Sequence, residues 1–353
     1  MTDKPDYTRL LNLVEAALRE ALAVPHPALA RFYGMMQYHL GWLDRDLGEI
    51  VSHKGGKRLR PLLTLLACEA AGGDAAQSLP AAVAVELVHN FSLVHDDIED
   101  RSEFRRHRET VWHLWGDAHA INVGDGLFAL ARLQLGRLLD VGVPAMRVAS
   151  IFHALDAACV ALTEGQFLDM QFETVDSVSL DDYFWMIRGK TASLIACACE
   201  MGAMVASEDT GIIKALHDFG YNLGMAFQID DDILGIWGRP ETTGKPAGDD
   251  VLNRKKTLPV VYVLEHGLLP GSPPHLRDAA EIVRQVYLRG VESDEDLRRV
   301  LVALEQSGAK DYCAQLSKEY TEQALAALSA PGLAPHPRQA LVALAESLLG
   351  RQT

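Results

Sequence analysis

Long Pro-free stretches of Leu, Ala, Val and Ile, broken by brief Gly or Pro punctuation such as Pro25-His26-Pro27, Gly72-Gly73 and Gly142-Val143-Pro144, constrain this chain more than anything else. Runs of that length exceed an ordinary strand, and Leu and Ala are strong helix formers. Hydrophobic residues make up 48% of the 353 residues but aromatics only 7%, and period-two alternation is nowhere convincing. The pattern predicts an all-α protein, its longest helices around 80–102, 144–173, 179–206 and 208–237. We read it as one large helical bundle over 1–353. The core spans about 30–267, a Pro-containing linker lies at 270–275, and C-terminal helices at about 272–351 pack on the core.

The net charge of -15 argues against a nucleic-acid or anionic-membrane partner, because phosphate backbones are bound by surplus Lys and Arg. Cys68, Cys159, Cys197, Cys199 and Cys313 form no CxxC pair and sit in apolar helical context, which reads as reduced core thiols. The N-terminal residues lead into an amphipathic segment carrying Glu15, Arg19 and Glu20, unlike the apolar core of a signal peptide. No uncharged apolar run reads as long enough to span a bilayer. The expectation is a cytoplasmic protein, not an integral membrane one.

Chemistry concentrates in two acidic clusters at the ends of apolar helices. The first is Asp96-Asp97-Ile98-Glu99-Asp100, where spacing of four lets Asp96 and Asp100 share a face. The second is Asp230-Asp231-Asp232. Crowded carboxylates repel one another unless cations sit between them, and oxygen-only ligands favour Mg²⁺ or Ca²⁺. A solvated acidic helix end is the plain alternative, but apolar residues such as Leu93 and Val94 run straight into the first cluster. Basic companions are Lys57-Arg58-Leu59-Arg60 behind a Gly pair, Arg105-Arg106, Lys190-Thr191, and Lys245 and Lys255 in a polar loop at 238–257. Arg forks grip phosphate oxygens bidentately and Lys adds point charge, so the set suits two diphosphates.

The stretches GGKRLRP, ELVHNFSLVHDDIEDRSEFRRHRET, EGQFLDMQFE, IRGKTASLI, GMAFQIDDDILGIWG and TGKPAGDDVLNRKKTLPVVY resemble, in order, the motifs of trans-isoprenyl diphosphate synthases, the polyprenyl synthetase family. The resemblance implies a helical bundle around a central apolar cavity and a prenyltransferase joining isopentenyl diphosphate to an allylic diphosphate. It assigns Lys57, Arg60, His89 and Arg106 to the isopentenyl diphosphate. The allylic diphosphate falls to Arg105, Lys190, Thr191, Gln228, Lys245 and Lys255. Asp96, Asp100 and Asp231 are implied as Mg²⁺ ligands, with Asp232 close behind and three ions per site as in similar enzymes. Gln166 is placed near the reacting carbons, and a homodimer is implied.

The chain departs from that pattern in three places. Gly235 stands where the second motif normally ends in Asp, and Asp230, offset by one residue, is turned away from that face. The usual Arg-Arg-Gly reads Arg105-Arg106-His107, and the usual Gly-Lys reads Arg254-Lys255. Phe91, five before the first Asp, and the small Ser92 one turn below it resemble the chain-length region of short-chain members. A C20 product is favoured, then C15, then longer chains. Rival readings are a class I terpene cyclase, whose second metal motif would require different residues at Gly235 and Arg239, a squalene or phytoene synthase, and a non-catalytic regulatory subunit, which Gly235 keeps open.

Overall fold

In a computed structural model of the chain, residues 6–50, 56–238 and 248–349 are described. The elements are α1 (Thr8–Ala21), α2 (Ala30–His39), α3 (Leu59–Ala70), α4 (Ala75–Glu99), a hairpin of β1 (Phe104–Arg105) and β2 (Arg108–Glu109), α5 (Val111–Trp115), α6 (Asp117–Gly136), α7 (Ala145–Thr174), α8 (Leu180–Ile187), α9 (Ser193–Ala206) and α10 (Thr210–Trp237). Further helices follow at Asp249–Leu252, Leu258–Gly267, Pro274–Arg289, Asp294–Gln306, Ala309–Ala327 and Pro335–Leu349. The helical expectation holds, with three refinements. α4 begins before Pro80 because Asp74 caps it, accepting from Ala76 N at 2.9 Å. The helix expected over 179–206 carries a π turn at Arg188–Ala192 between α8 and α9. Asp249–Leu252 is helical inside the segment expected to be a loop.

The fold divides into two compact units. The first comprises Met1–Ala157, Cys197–Leu216 and Pro331–Leu341, and α4 is its centre. Small residues let neighbours approach α4 from several sides, so Ala81, Ala82, Ala84, Val85, Leu87 and Val88 are all fully buried. Each buried Val or Leu contributes roughly 1.5–3 kcal/mol. Close crossings use glycine: a β-carbon on Gly124 of α6 would overlap the His95 ring of α4, and one on Gly202 of α9 would overlap the Thr64 carbonyl of α3.

The second unit comprises Ala158–Ala196, His217–Ala330 and Val342–Thr353. The last turns of α10 bury Met225, Ile229 and Ile233 against Tyr183, Met186 and Leu258. A neighbouring cluster joins Ile236, Val251, Val260 and Val263 to Val283, Val286 and Leu304. The helices Pro274–Arg289 and Asp294–Gln306 are thereby packed onto Leu258–Gly267.

All five cysteines are buried and none is in a disulfide, as expected of core thiols. The expectation concerned uncharged runs, and α7 is interrupted by Arg147, Asp156, Glu164, Asp169 and Glu173. By length and composition alone α7 is apolar enough to cross a bilayer, with a mean hydropathy of 1.5 over its best 18 residues. Asp156 pairs with Arg132 of α6 in the first unit.

Candidate active site

In the first unit α4 delivers Asp96, Asp97, Glu99 and Asp100 at its C-terminal end, where the helix dipole disfavours anions. The β1–β2 hairpin answers with Arg105, whose Nε donates to Asp97 Oδ1 at 2.6 Å and whose Nη2 donates to Asp96 Oδ2 at 2.8 Å. The hairpin turn puts Arg106 and His107 in the left-handed region, at φ 52° and 61°, which explains why glycine suits position 107 and makes His107 a mildly strained substitute. Asp97 is 1% exposed, and burial pushes its carboxyl up to about 6 while Arg105 pulls the other way. Its Oδ2 has no hydrogen-bond partner. Asp96 is partly exposed and Asp100 exposed.

Beside these acids lies a cationic group. α3 begins at Leu59, so Lys57, Arg58 and Arg60 gather at a helix N-terminus, the wrong end for cations and the right end for a phosphate. Burial, then the guanidinium groups of Arg60, Arg106 and Arg105, hold His89 well below the usual histidine range. Burial also lowers Arg60 to about 10, with Glu86 opposing and Arg106 adding to the fall. Arg106 rests on Gly56, where a β-carbon would fall 2.8 Å from both Nη1 and Nη2. Arg58 instead turns inward to Glu86 Oε1 at 3.0 Å and the Leu40 carbonyl at 3.1 Å, anchoring the segment. Lys57 is exposed.

The second unit carries its own group of the expected residues. Arg188–Ala192 is a π turn, a device that re-aims side chains, and Gly165 of α7 makes room for it: a β-carbon there would overlap the Lys190 backbone nitrogen. Lys190 Nζ pairs with Asp169 of α7. Thr191 Oγ1 donates to Gln228 Oε1 at 2.7 Å, and Gln228 Nε2 to Asp232 Oδ1 at 2.9 Å. Asp232 Oδ2 also accepts from Tyr183 Oη at 2.6 Å and Leu258 N at 2.7 Å. Burial raises its carboxyl to about 7 despite these three donors, and Asp250 adds to the rise. The three successive acids point three ways. Asp230 accepts from Ser317 Oγ at 2.6 Å, Asp232 faces Tyr183, and Asp231 alone is exposed. Gln166 is partly exposed one turn before Asp169, and Lys255 is partly buried after the helix Asp249–Leu252. Lys245 lies outside the described residues.

Among the described residues no three His, Cys, Asp or Glu side chains close into a metal cage. Carboxylates at exposed helix ends nevertheless fit Mg²⁺, which keeps water and phosphate among its ligands, and Asp97 Oδ2 is a buried acceptor still without a donor. Phe91 packs on Phe128 of α6 and edge-on to His95, with centroids 5.1 and 5.2 Å apart, while Ser92 Oγ donates to the His89 carbonyl.

Sequence reasoning missed several members. His39, at the end of α2, shares a small cavity of about 20 Å³ with Asp97, Arg105 and Arg106, and its Nε2 has no hydrogen-bond partner. Burial and those arginines hold it neutral. Asp169 stood within EGQFLDMQFE and was legible there as a partner for a cation. Nothing local marked His39 or Tyr183.

A family model described as "Polyprenyl synthetase" matches residues 42–302. A (2E,6E)-farnesyl diphosphate synthase of Mycobacterium tuberculosis is 42% identical over 90% of this chain and 86% of its own length. A geranylgeranyl diphosphate synthase of the same organism is 37% identical over 97% of this chain and 95% of its own. A solved polyprenyl synthetase from Streptomyces coelicolor superposes with TM-score 0.85 at 36% identity, covering 97% of this chain and 98% of that one. A geranylgeranyl pyrophosphate synthase from Corynebacterium glutamicum, solved with isoprenyl diphosphate and magnesium, superposes with TM-score 0.82 at 27% identity, covering 99% of this chain and 100% of that one.

Proposed function

This chain belongs to the polyprenyl synthetase family and is a short-chain trans-prenyltransferase with the all-α isoprenoid synthase fold, and from that premise we propose that it condenses isopentenyl diphosphate head-to-tail with an allylic diphosphate to make geranylgeranyl diphosphate, releasing diphosphate. The observation that carries this reading is a pair of misplaced charges in the first unit. Acids crowd the C-terminus of α4 and cations the N-terminus of α3, each disfavoured by its own helix dipole and each suited to a metal–diphosphate ligand.

Lys57, Arg60, His89 and Arg106 hold the isopentenyl diphosphate, with His89 kept neutral as a hydrogen-bonding group among the guanidinium groups. Lys190, Thr191, Gln228, Lys245, Lys255 and Arg105 hold the allylic diphosphate, and Gln166 lies near the reacting carbons. The π turn aims Lys190 and Thr191, and the Tyr183–Asp232–Gln228 chain fixes the amide that Thr191 meets. Asp96, Asp100 and Asp231 ligate Mg²⁺, three ions per site, which when bound offsets the charge developing on the leaving diphosphate. Positioning the isopentenyl double bond against the allylic carbon supplies much of the remaining rate. The departing diphosphate takes the final proton.

Phe91, braced by Phe128, sets the floor for the growing chain, with Ser92 beside it. Farnesyl diphosphate is the second reading, favoured by likeness to the farnesyl diphosphate synthase above. We place all 353 residues in one domain of a cytoplasmic homodimer without nucleic-acid partners or membrane insertion. Support for the dimer comes from the exposed Val160, Phe167, Met170 and Trp185 in the second unit. Support against insertion comes from Asp156 and Glu164 within α7. The test is mass analysis of products from isopentenyl diphosphate with each common allylic primer. A C20 product is expected, and failure to consume isopentenyl diphosphate would refute the reaction.

A further inference from the structure

The run Lys57-Arg58-Leu59-Arg60 turns one of its three cations inward. Arg58 is 7% exposed and takes the left-handed conformation at φ 50° and ψ 39°, which costs a residue with a side chain free energy and persists only where the surroundings enforce it. Three separate segments of the first unit do so. Nη1 donates to Glu86 Oε1 of α4 at 3.0 Å, Nη2 to the Leu40 carbonyl after α2 at 3.1 Å, and Nε to Glu15 Oε2 of α1 at 3.4 Å. The Arg58 carbonyl in turn accepts from Leu62 N at 3.1 Å and so starts α3. Lys57 precedes this residue and Arg60 follows it by two, so the backbone at Arg58 sets the direction of both. Arg60 Nε is buried without a hydrogen-bond partner, a donor that an anion would satisfy.

Glu15 reaches Arg58 because of how α1 packs. Leu10, Val14 and Leu18 are spaced by four and form its buried stripe, and Glu15 follows Val14 at the edge of that stripe. The C-terminal end of the helix is tied down as well. Arg19 lies over the Trp42 ring at 4.7 Å, and the Leu22 carbonyl accepts from Gln37 Nε2 at 2.9 Å. α1 ends before residue 42, where the match to the family model begins. Its carboxylate therefore comes from a helix that none of the family motifs in this chain includes.

We propose that Glu15 is a positioning residue for isopentenyl diphosphate, acting through Arg58 to fix the start of α3 and with it the aim of Lys57 and Arg60. The inference rests on the isopentenyl diphosphate reading above. Glu86 is already shared, since its Oε1 also accepts from Asn90 Nδ2 at 3.1 Å. Loss of Glu15 leaves the Arg58 Nε–H without its acceptor and lets the left-handed turn relax.

The test measures kcat and the two KM values, for isopentenyl diphosphate and for the allylic primer, in the full chain and its variants. Glu15→Ala is expected to raise the isopentenyl diphosphate KM about tenfold while kcat and the allylic KM stay within about twofold of wild type. Glu15→Gln keeps an accepting oxygen at the same reach and is expected to return that KM to within about threefold of wild type. Arg58→Lys removes the Nε donor, so adding Glu15→Ala to it should change the KM by no more than about twofold further. Glu20→Gln alters an exposed pair with Arg137 on the same helix and should leave every constant within about twofold. Should Glu15→Ala fail to fold by circular dichroism, Glu15→Met keeps the volume, lacks the acceptor and carries the same expectation. An unchanged isopentenyl diphosphate KM, equal rises in both KM values, a Gln variant as impaired as the Ala variant, or a full-sized effect in the Arg58→Lys background each overturns the proposal. Any of these beside a wild type that consumes isopentenyl diphosphate leaves the reaction standing, whereas a wild type that consumes none refutes the reaction and this inference together.

Discussion

Replacing Asp96 by Ala separates a stability role from a functional one. In the fold Asp96 accepts one hydrogen bond from Arg105 Nη2 at 2.8 Å, a partly exposed pair worth about 1 kcal/mol. Against that loss, the substitution removes one of four acids from a helix C-terminus, regaining about 0.3–1 kcal/mol. Ala also exceeds Asp in helix propensity by roughly 0.5 kcal/mol. The terms nearly cancel, so the melting temperature of the metal-free protein should move by no more than about 3 °C. Turnover should fall about 10²–10⁴-fold, equivalent to about 3–5 kcal/mol of transition-state stabilisation, because a metal ligand is gone while Arg105 is left with Asp97 alone. Incorporation of labelled isopentenyl diphosphate gives the rate, and circular dichroism melting gives the stability. Near-wild-type turnover would refute the metal assignment. An equal fall in activity and stability would show that the acids hold the fold together instead.

Three further outcomes are expected. His39→Ala should raise the KM for isopentenyl diphosphate about tenfold and leave the allylic KM within about twofold, since His39 faces Arg106 and Asp97; equal shifts in both would make it a packing residue. Phe91→Ala opens the contact with Phe128 and should lengthen the product by mass spectrometry, whereas an unchanged distribution would return Phe91 to the core. Burial raises Asp97 to about 6 and Asp232 to about 7, so the fold holds protons that the unfolded chain has released, and this stabilisation is lost as pH rises through that window. His39 and His89 sit well below the usual histidine range and act in the opposite sense, weakening the fold as pH falls below that range. Metal-free melting temperature should therefore peak near about pH 6, and Mg²⁺ should lift it most near about pH 8 by favouring ionised carboxylates; a metal-free value rising steadily from 6 to 8 would contradict this.

What the sequence determined by itself was whatever neighbours in the chain decide. Helix type follows from apolar runs and punctuation, and the boundaries of α7 and α10 fall within two residues of expectation. The acidic clusters were legible because their members are adjacent or four apart, and helical geometry then shows that Asp230 and Asp231 cannot face the same way. Family motifs carried the remaining assignments as implications. Tertiary structure decided everything that depends on residues meeting from distant segments. No local pattern places His39 against Arg106, Tyr183 under Asp232, or a π turn at Lys190 where the glycines of two helices cross. Arg58 shows the difference most plainly. Read along the chain it is one more cation in a basic run, and only the packing of α1 brings Glu15 to its guanidinium. Short-range order is written in covalent spacing, whereas such contacts arise from burying apolar surface, which is non-directional and carries polar side chains to places their own neighbours do not specify.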